Sequence, residues 1–207
     1  SHGIAPDLVM DIANNLGWSN ASLRTGFNAE MAERHAALAK AAAKSVKSEM
    51  FVESIPELEP TVAMYYDDVM RFKFDAKVVG CLPLVGNDIP EFATHAIILD
   101  STCFYPEGGG QEADFGVLKN GSKSVNVLDT RKDGTIIFHL CDGTLENGAT
   151  ITGEVDAKRR RQLMDHHTAV HIVGGAARRL LGPHIYQAGA NKSVDSARLD
   201  ITHHRRL

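Results

Sequence analysis

Gly116-Val117-Leu118-Lys119-Asn120-Gly121-Ser122-Lys123-Ser124-Val125-Asn126-Val127-Leu128 decides the fold. Asn120-Gly121 sits between two apolar-rich runs. An Asn-Gly pair tolerates the positive φ angles of a two-residue turn, so the stretch predicts a β-hairpin. The pattern continues outward. Asp133-Gly134 precedes Thr135-Ile136-Ile137-Phe138-His139-Leu140, and Asn147-Gly148 precedes Thr150-Ile151-Thr152-Gly153-Glu154-Val155. On the other side, Arg71 to Val79 mostly alternates and Thr94 to Leu99 is a buried-type run. Short strands at this spacing predict a small antiparallel β-barrel or a sandwich over 61–155.

Helical patterns flank the strands, so the fold class is α+β. Before them, Pro6 suits a first helical turn, and Leu8, Val9, Ile12, Ala13 and Leu16 follow helical spacing. Asn28 suits the cap of a second helix with Met31, Ala32, Leu38 and Ala39 along it. Pro56 and Pro60 mark a linker. Residues 1–60 therefore read as a helical segment and linker. After the strands, Asp156 suits an N-cap, and Gly182-Pro183 stops a long helix. Residues 156–207 then form an α/β part with a strand-like Arg198-Leu199-Asp200-Ile201-Thr202. The start lacks an initiator Met and the end lacks a closing element, so a fragment of a longer protein is expected.

Composition narrows the function classes. The chain has 207 residues, 43% hydrophobic and 23% charged, which excludes a disordered or collagen-like chain. No apolar run reaches membrane-spanning length, and no signal peptide opens the chain. Three scattered cysteines, Cys81, Cys103 and Cys141, point to a reducing, cytoplasmic compartment. Residues 1–70 carry 5 Lys/Arg against 10 Asp/Glu, and 71–150 carry 7 against 11. Residues 151–207 reverse the balance, with 10 against 5, and hold six of the ten histidines. A basic, His-rich end suits a polyanion or a metal.

Four constellations carry potential chemistry. His167 and His171 lie four apart in the long helix, on one face with Leu163, Val170, Gly174, Ala177 and Leu181, so both are expected to point inward. Two imidazoles so placed can share a tetrahedral metal, or they are two satisfied core histidines. The residue after His167 is Thr168, not Glu, which argues against a zincin. Asp100-Ser101-Thr102-Cys103-Phe104-Tyr105-Pro106-Glu107-Gly108-Gly109-Gly110-Gln111 runs from a buried strand into three glycines. Consecutive glycines let a backbone approach a ligand and present its N–H groups, and they also suit a flexible hairpin tip. Gln187 is a polar group on the loop Gly182 to Ala190 after the helix stop, or an ordinary surface Gln. Lys158-Arg159-Arg160-Arg161 opens the helix, Arg178-Arg179 closes it and Arg205-Arg206 ends the chain. These suit phosphate contacts or a solvated face, and basic residues at a helix N-terminus oppose its dipole. Cys103 has no base near it in sequence and reads as buried.

Taken in order, these motifs resemble the alanyl-tRNA synthetase family, archaeal type. Asp100-x-Thr102-x-Phe104-Tyr105-Pro106-Glu107-Gly108-Gly109-Gly110-Gln111 with Asp114-x-Gly116 is similar to the family's editing-domain signature. His166-His167-Thr168-Ala169-Val170-His171 resembles its metal helix. Gln187-Ala188-Gly189 and Arg198 to His203 are similar to the segments that come after that helix in the family. The resemblance covers residues 60–207. Ser1 to Pro6 resembles the end of the tRNA-recognition region.

The resemblance implies hydrolysis of mischarged Ser-tRNA(Ala) and Gly-tRNA(Ala) by an editing domain. The parent enzyme would join alanine to tRNA(Ala) with ATP and Mg. His167 and His171 would be zinc ligands. Thr102 would sense the serine hydroxyl, and Thr102, Gln111 and Gln187 would serve the hydrolytic pocket. Gly108, Gly109 and Gly110 would shape the substrate site, with Arg159 and Arg160 on the RNA. In the family a later Cys-x-x-x-His pair completes the zinc site. That pair is expected beyond the C-terminus of this chain, as is the charging domain upstream. This chain alone is then expected not to charge tRNA. The partner is tRNA(Ala), with no DNA or membrane, and a homodimeric parent is compatible. Two rivals remain: a free-standing alanyl-tRNA editing hydrolase, against which residues 1–60 argue, and a non-catalytic tRNA-binding module.

Overall fold

The hairpin at 116–128 contributes two of the six strands of a closed barrel. The computed structural model describes Gly17 and residues 51–203. The helices expected over 6–50, the resemblance of Ser1–Pro6, and Arg205-Arg206 lie outside the described residues. The elements are β1 (Val62–Ala63), a 3-10 turn (Met64–Tyr66), β2 (Lys73–Pro83), β3 (His95–Leu99), β4 (Ser101–Thr102), β5 (Gly116–Asn120) and β6 (Lys123–Asp133). After these come β7 (Ile136–Cys141), β8 (Thr150–Val155), helix α1 (Ala157–Leu181), β9 (Gln187–Lys192) and β10 (Ala197–Ile201).

Chain contacts divide these into two units. The first comprises Glu49–Val170 with Gly189–Arg198, and the second includes His171–Ala188. The first unit is built on the barrel, with strand order β2-β3-β7-β6-β5-β8. Every neighbouring pair is antiparallel, including β8 with β2, which closes the ring. Alternation places one face of each strand inside. Phe74, Ala76 and Val78 of β2 meet Ile151 and Val155 of β8, Leu118 of β5 and Val125 and Val127 of β6. Gly153 is a packing requirement, because a Cβ there would run into the Phe74 ring.

β3 and β7 are covered on both faces, which explains why Ile136–Cys141 is apolar almost throughout. Phe51, Val52 and Ala93 pack on their outer side against Ala96, Ile98, Ile136, Phe138 and Leu140. The Phe51 and Phe138 rings meet edge-to-face at 5.1 Å. β1 pairs in parallel with β4, Val62 opposite Ser101 and Ala63 opposite Thr102. That short ladder holds the strand end from which the glycine loop departs.

Helix α1 begins as its cap residue dictates. The Asp156 carboxylate accepts the Arg159 N–H at 3.0 Å. It ends where Gly182 takes a φ of 120°. β9 and β10 form a separate two-stranded sheet. Among the described residues no helix is long and apolar enough to cross a membrane.

Candidate functional site

The glycine loop is a shaped turn. Gly108 and Gln111 exchange both backbone hydrogen bonds, at 3.1 and 3.0 Å. Gly109 and Gly110 between them have φ of 59° and 74°, the left-handed region that glycine enters without steric cost. Gly110 is doubly constrained, since a Cβ there would collide with the Ala190 carbonyl. The loop is stitched to the start of the β9–β10 turn. Gly110 O accepts the Lys192 N–H at 2.6 Å, and Lys192 O accepts the Glu112 N–H at 3.0 Å.

This turn meets α1 at His167. A Cβ on Gly109 would lie 3.5 Å from His167 Cε1. Gln111, 4% exposed, lies 2.8 Å from His167 Nδ1 through its Oε1. An amide oxygen only accepts, so Nδ1 carries the proton and donates. The His167 lone pair is thereby placed on Nε2, the tautomer that suits a ligand to an electrophile. One residue earlier, His166 Nδ1–H donates to Ser193 O at 2.7 Å, and Gln162 donates to its Nε2 at 2.8 Å. Both rings tie this turn of α1 to their surroundings.

Thr102 is placed differently. It is fully buried, and its Oγ1–H donates to His139 Nε2 at 2.8 Å. The Thr102 oxygen also accepts the Phe104 N–H at 3.0 Å. His139 Nδ1–H in turn donates to Ile97 O at 2.9 Å. The sequence showed His139 only as one residue of a strand; it is the polar hub of the barrel interior. Complete burial pushes its pKa down to about 4, from 6.5, so it stays neutral. The unfolded chain then takes up this proton first as pH falls. Stability present above pH 6.5 should be lost toward pH 4, by up to about 3 kcal/mol. Urea unfolding across that window should show the slope, and His139→Leu should remove its share.

Arg160 requires a correction. Arg160 is 2% exposed and forks onto both oxygens of the fully buried Asp114. It also donates to Cys103 O at 2.6 Å. Arg159 pairs with Glu112 at 2.9 Å, donates to Ala113 O at 3.1 Å and lies 3.8 Å over the Phe115 ring. Arg160 is too deeply buried to reach a phosphate, while Arg159 spends its Nε and one Nη within the unit. These arginines oppose the helix dipole because they anchor α1 to residues 112–115. Burial pushes the Asp114 pKa up, against the pull of Arg160. Cys103 is buried with its thiol pushed up by desolvation, which agrees with an inert core cysteine.

His171 and Gln187 belong to the other unit. α1 carries His171 four residues beyond His167, but His171 is exposed rather than inward-facing. Gln187 is exposed at the head of β9. In that unit His184 stacks on His203, with 2.8 Å between Nε2 and Nδ1. Arg178 covers Tyr186 at 4.6 Å. The structure therefore brings together Gly108, Gly109, Gly110, Gln111, His167 and Lys192. The last was not legible as a site residue. Among the described residues no three His, Cys, Asp or Glu side chains group closely enough to hold a metal ion. The His167 tautomer fits a metal ligand, but the described donors do not complete a zinc site.

The family model for tRNA synthetases of class II (A) matches residues 1–159. Across its full length the chain is 40% identical to an alanine–tRNA ligase of Methanopyrus kandleri, covering 22% of that protein. It is 38% identical to one of Ignicoccus hospitalis, covering 22%, and 40% identical to one of Halorubrum lacusprofundi, covering 21%. The chain thus spans roughly a fifth of the length of the curated relatives it matches. The barrel, the glycine loop and these matches together show that the chain belongs to the class II (A) tRNA synthetases, within the alanyl-tRNA synthetase group.

Proposed function

We propose that this segment is the proofreading part of an alanine–tRNA ligase and hydrolyses Ser-tRNA(Ala) and Gly-tRNA(Ala). The parent would join alanine to tRNA(Ala) with ATP and Mg in another part of its chain. One observation carries the reading: a turn of three glycines is locked against an α1 histidine whose tautomer is set by Gln111. A synthetic site for alanine cannot fully reject a smaller or hydroxylated amino acid, so a second, hydrolytic site is needed. In hydrolysis water attacks the aminoacyl carbonyl, and the ester bond to the tRNA ribose breaks, releasing the amino acid. The Gly108–Gln111 backbone suits holding the ester and its developing oxyanion. Thr102, whose hydroxyl donates to His139, would act by fixing the strand end that leads to the loop, and Gln187 is proposed as a further substrate residue.

Zinc, when bound, would supply a Lewis acid, with His167 and His171 as two of its ligands and the rest outside the described residues. The segment is proposed to work in the cytoplasm on tRNA(Ala), and the parent as a homodimer.

The test is hydrolysis of Ser-tRNA(Ala) by this chain and by one extended through ~100 further residues, a domain-sized increment. Bound zinc is counted in both. The expected result is zinc binding and deacylation by the extended form. If neither form deacylates but both bind tRNA, the segment is a binding module and the hydrolytic reading fails.

A further inference from the structure

Lys192 is a buried charged residue of the barrel unit that has no ion-pair partner among the described residues. It is 1% exposed, although lysine is among the residues least often buried. Its ammonium donates to Gly109 O at 2.7 Å. Among the described residues it pairs with no carboxylate, so its charge rests on a neutral carbonyl. Burying an unpaired ammonium is expensive, and packing alone would be served by Met or Leu.

The contacts of Lys192 all fall on one short stretch. Its side chain holds Gly109, its N–H holds Gly110 and its carbonyl holds Glu112. Gln111, between them, stands opposite Lys192 in a parallel bridge. Gln111 in turn accepts the Nδ1 proton of His167. One residue thus fixes the four-residue segment that sets the histidine tautomer. The charge has a second consequence. Carbonyl and N–H lie on opposite sides of a trans peptide. An ammonium on Gly109 O polarises that peptide and makes its other end, the Gly110 N–H, a stronger donor.

We propose that Lys192 is a positioning residue for hydrolysis: it holds the Gly109–Gln111 turn and, through Gln111, the His167 ring, and it strengthens the Gly110 N–H toward anionic oxygen. This rests on the hydrolytic reading above. The substrate feature served is the oxyanion formed when water adds to the ester carbonyl.

The experiment compares wild type with Lys192→Met in the extended chain, by kcat and KM for Ser-tRNA(Ala), thermal unfolding and the nitrogen NMR shifts of His167. Lys192→Gln keeps a donor toward Gly109 and replaces the Met variant if that fails to fold. The expected result is a kcat loss of about 10–100-fold, as for groups that orient a ligand. KM should hold within about twofold, since transition-state binding alone is lost. The His167 shifts should move toward a mixture of tautomers. Unchanged kcat in an active background overturns the proposal. So does a loss of kcat and KM that merely tracks a lowered unfolding temperature. If wild type itself does not hydrolyse, the functional reading fails, and the His167 shifts alone judge Lys192: an unchanged tautomer overturns its positioning role.

Discussion

Arg160→Met is expected to destabilise the barrel unit by about 3–5 kcal/mol, the range for breaking one half of a buried ion pair. The reason is the carboxylate that stays behind. Asp114 is fully buried, accepts the Tyr105 N–H at 2.7 Å and would lose its hydrogen-bonded cation, leaving only the weaker pull of Arg159. Cys103 O would lose a donor as well. Replacing the guanidinium with an apolar chain of similar length isolates the electrostatic loss from a packing loss. The effect should depend on pH. Without Arg160, burial acts on Asp114 with less opposition, and its folded pKa rises further above the unfolded value. The variant then takes up a proton on folding, so its stability improves as pH falls through that folded pKa. Urea unfolding should show a deficit that is largest at neutral pH and shrinks with acidification. A deficit below about 1 kcal/mol at neutral pH would place the pair among surface salt bridges, against its burial.

His167→Ala in the extended chain is expected to lower Ser-tRNA(Ala) hydrolysis by at least about a hundredfold, comparable to or beyond the loss of a single oxyanion-hole donor. The change removes the imidazole whose Nε2 lone pair is set by Gln111, and it leaves Gln111 Oε1 without that donor. His167 is half-buried, so unfolding should shift far less than for Arg160→Met. tRNA affinity should hold, because the role proposed for the ring is at the ester. Zinc content should fall in parallel with activity. Hydrolysis at the wild-type rate would remove His167 from the mechanism and with it the proposed metal role.

The barrel was legible because its strands alternate and their turns are marked by Asn-Gly and Asp-Gly. Long-range contacts were less legible. Arg160 read as a phosphate contact because its partner, Asp114, lies 46 residues earlier. Periodicity and charge counts cannot show which carboxylate a buried arginine reaches. β9 reads as loop from sequence, since Gln187-Ala188-Gly189-Ala190-Asn191-Lys192 has neither β-branched nor aromatic residues. Pairing with β10 makes it a strand, and the isolated Gln111–Lys192 bridge ties its end to the glycine loop. Lys192 was invisible for the same reason, one lysine in a polar stretch. His139 was hidden in an apolar run that simply read as core. Of the candidate site, the glycines, Gln111 and His167 stand out by their order along the chain, and the structure adds the hydrogen bond between Gln111 and His167.

The closed ring of six strands also restricts how this segment can meet other molecules. An open sheet can be lengthened by an extended peptide that takes up its unpaired backbone groups. Here β2 and β8 satisfy each other, so the barrel has no ladder for a visiting strand to continue. Recognition by the barrel must run through side chains and loops. The same closure protects the folded barrel from edge-to-edge association, a hazard left to the small β1–β4 and β9–β10 sheets, the second of which the Gln111–Lys192 bridge already covers in part.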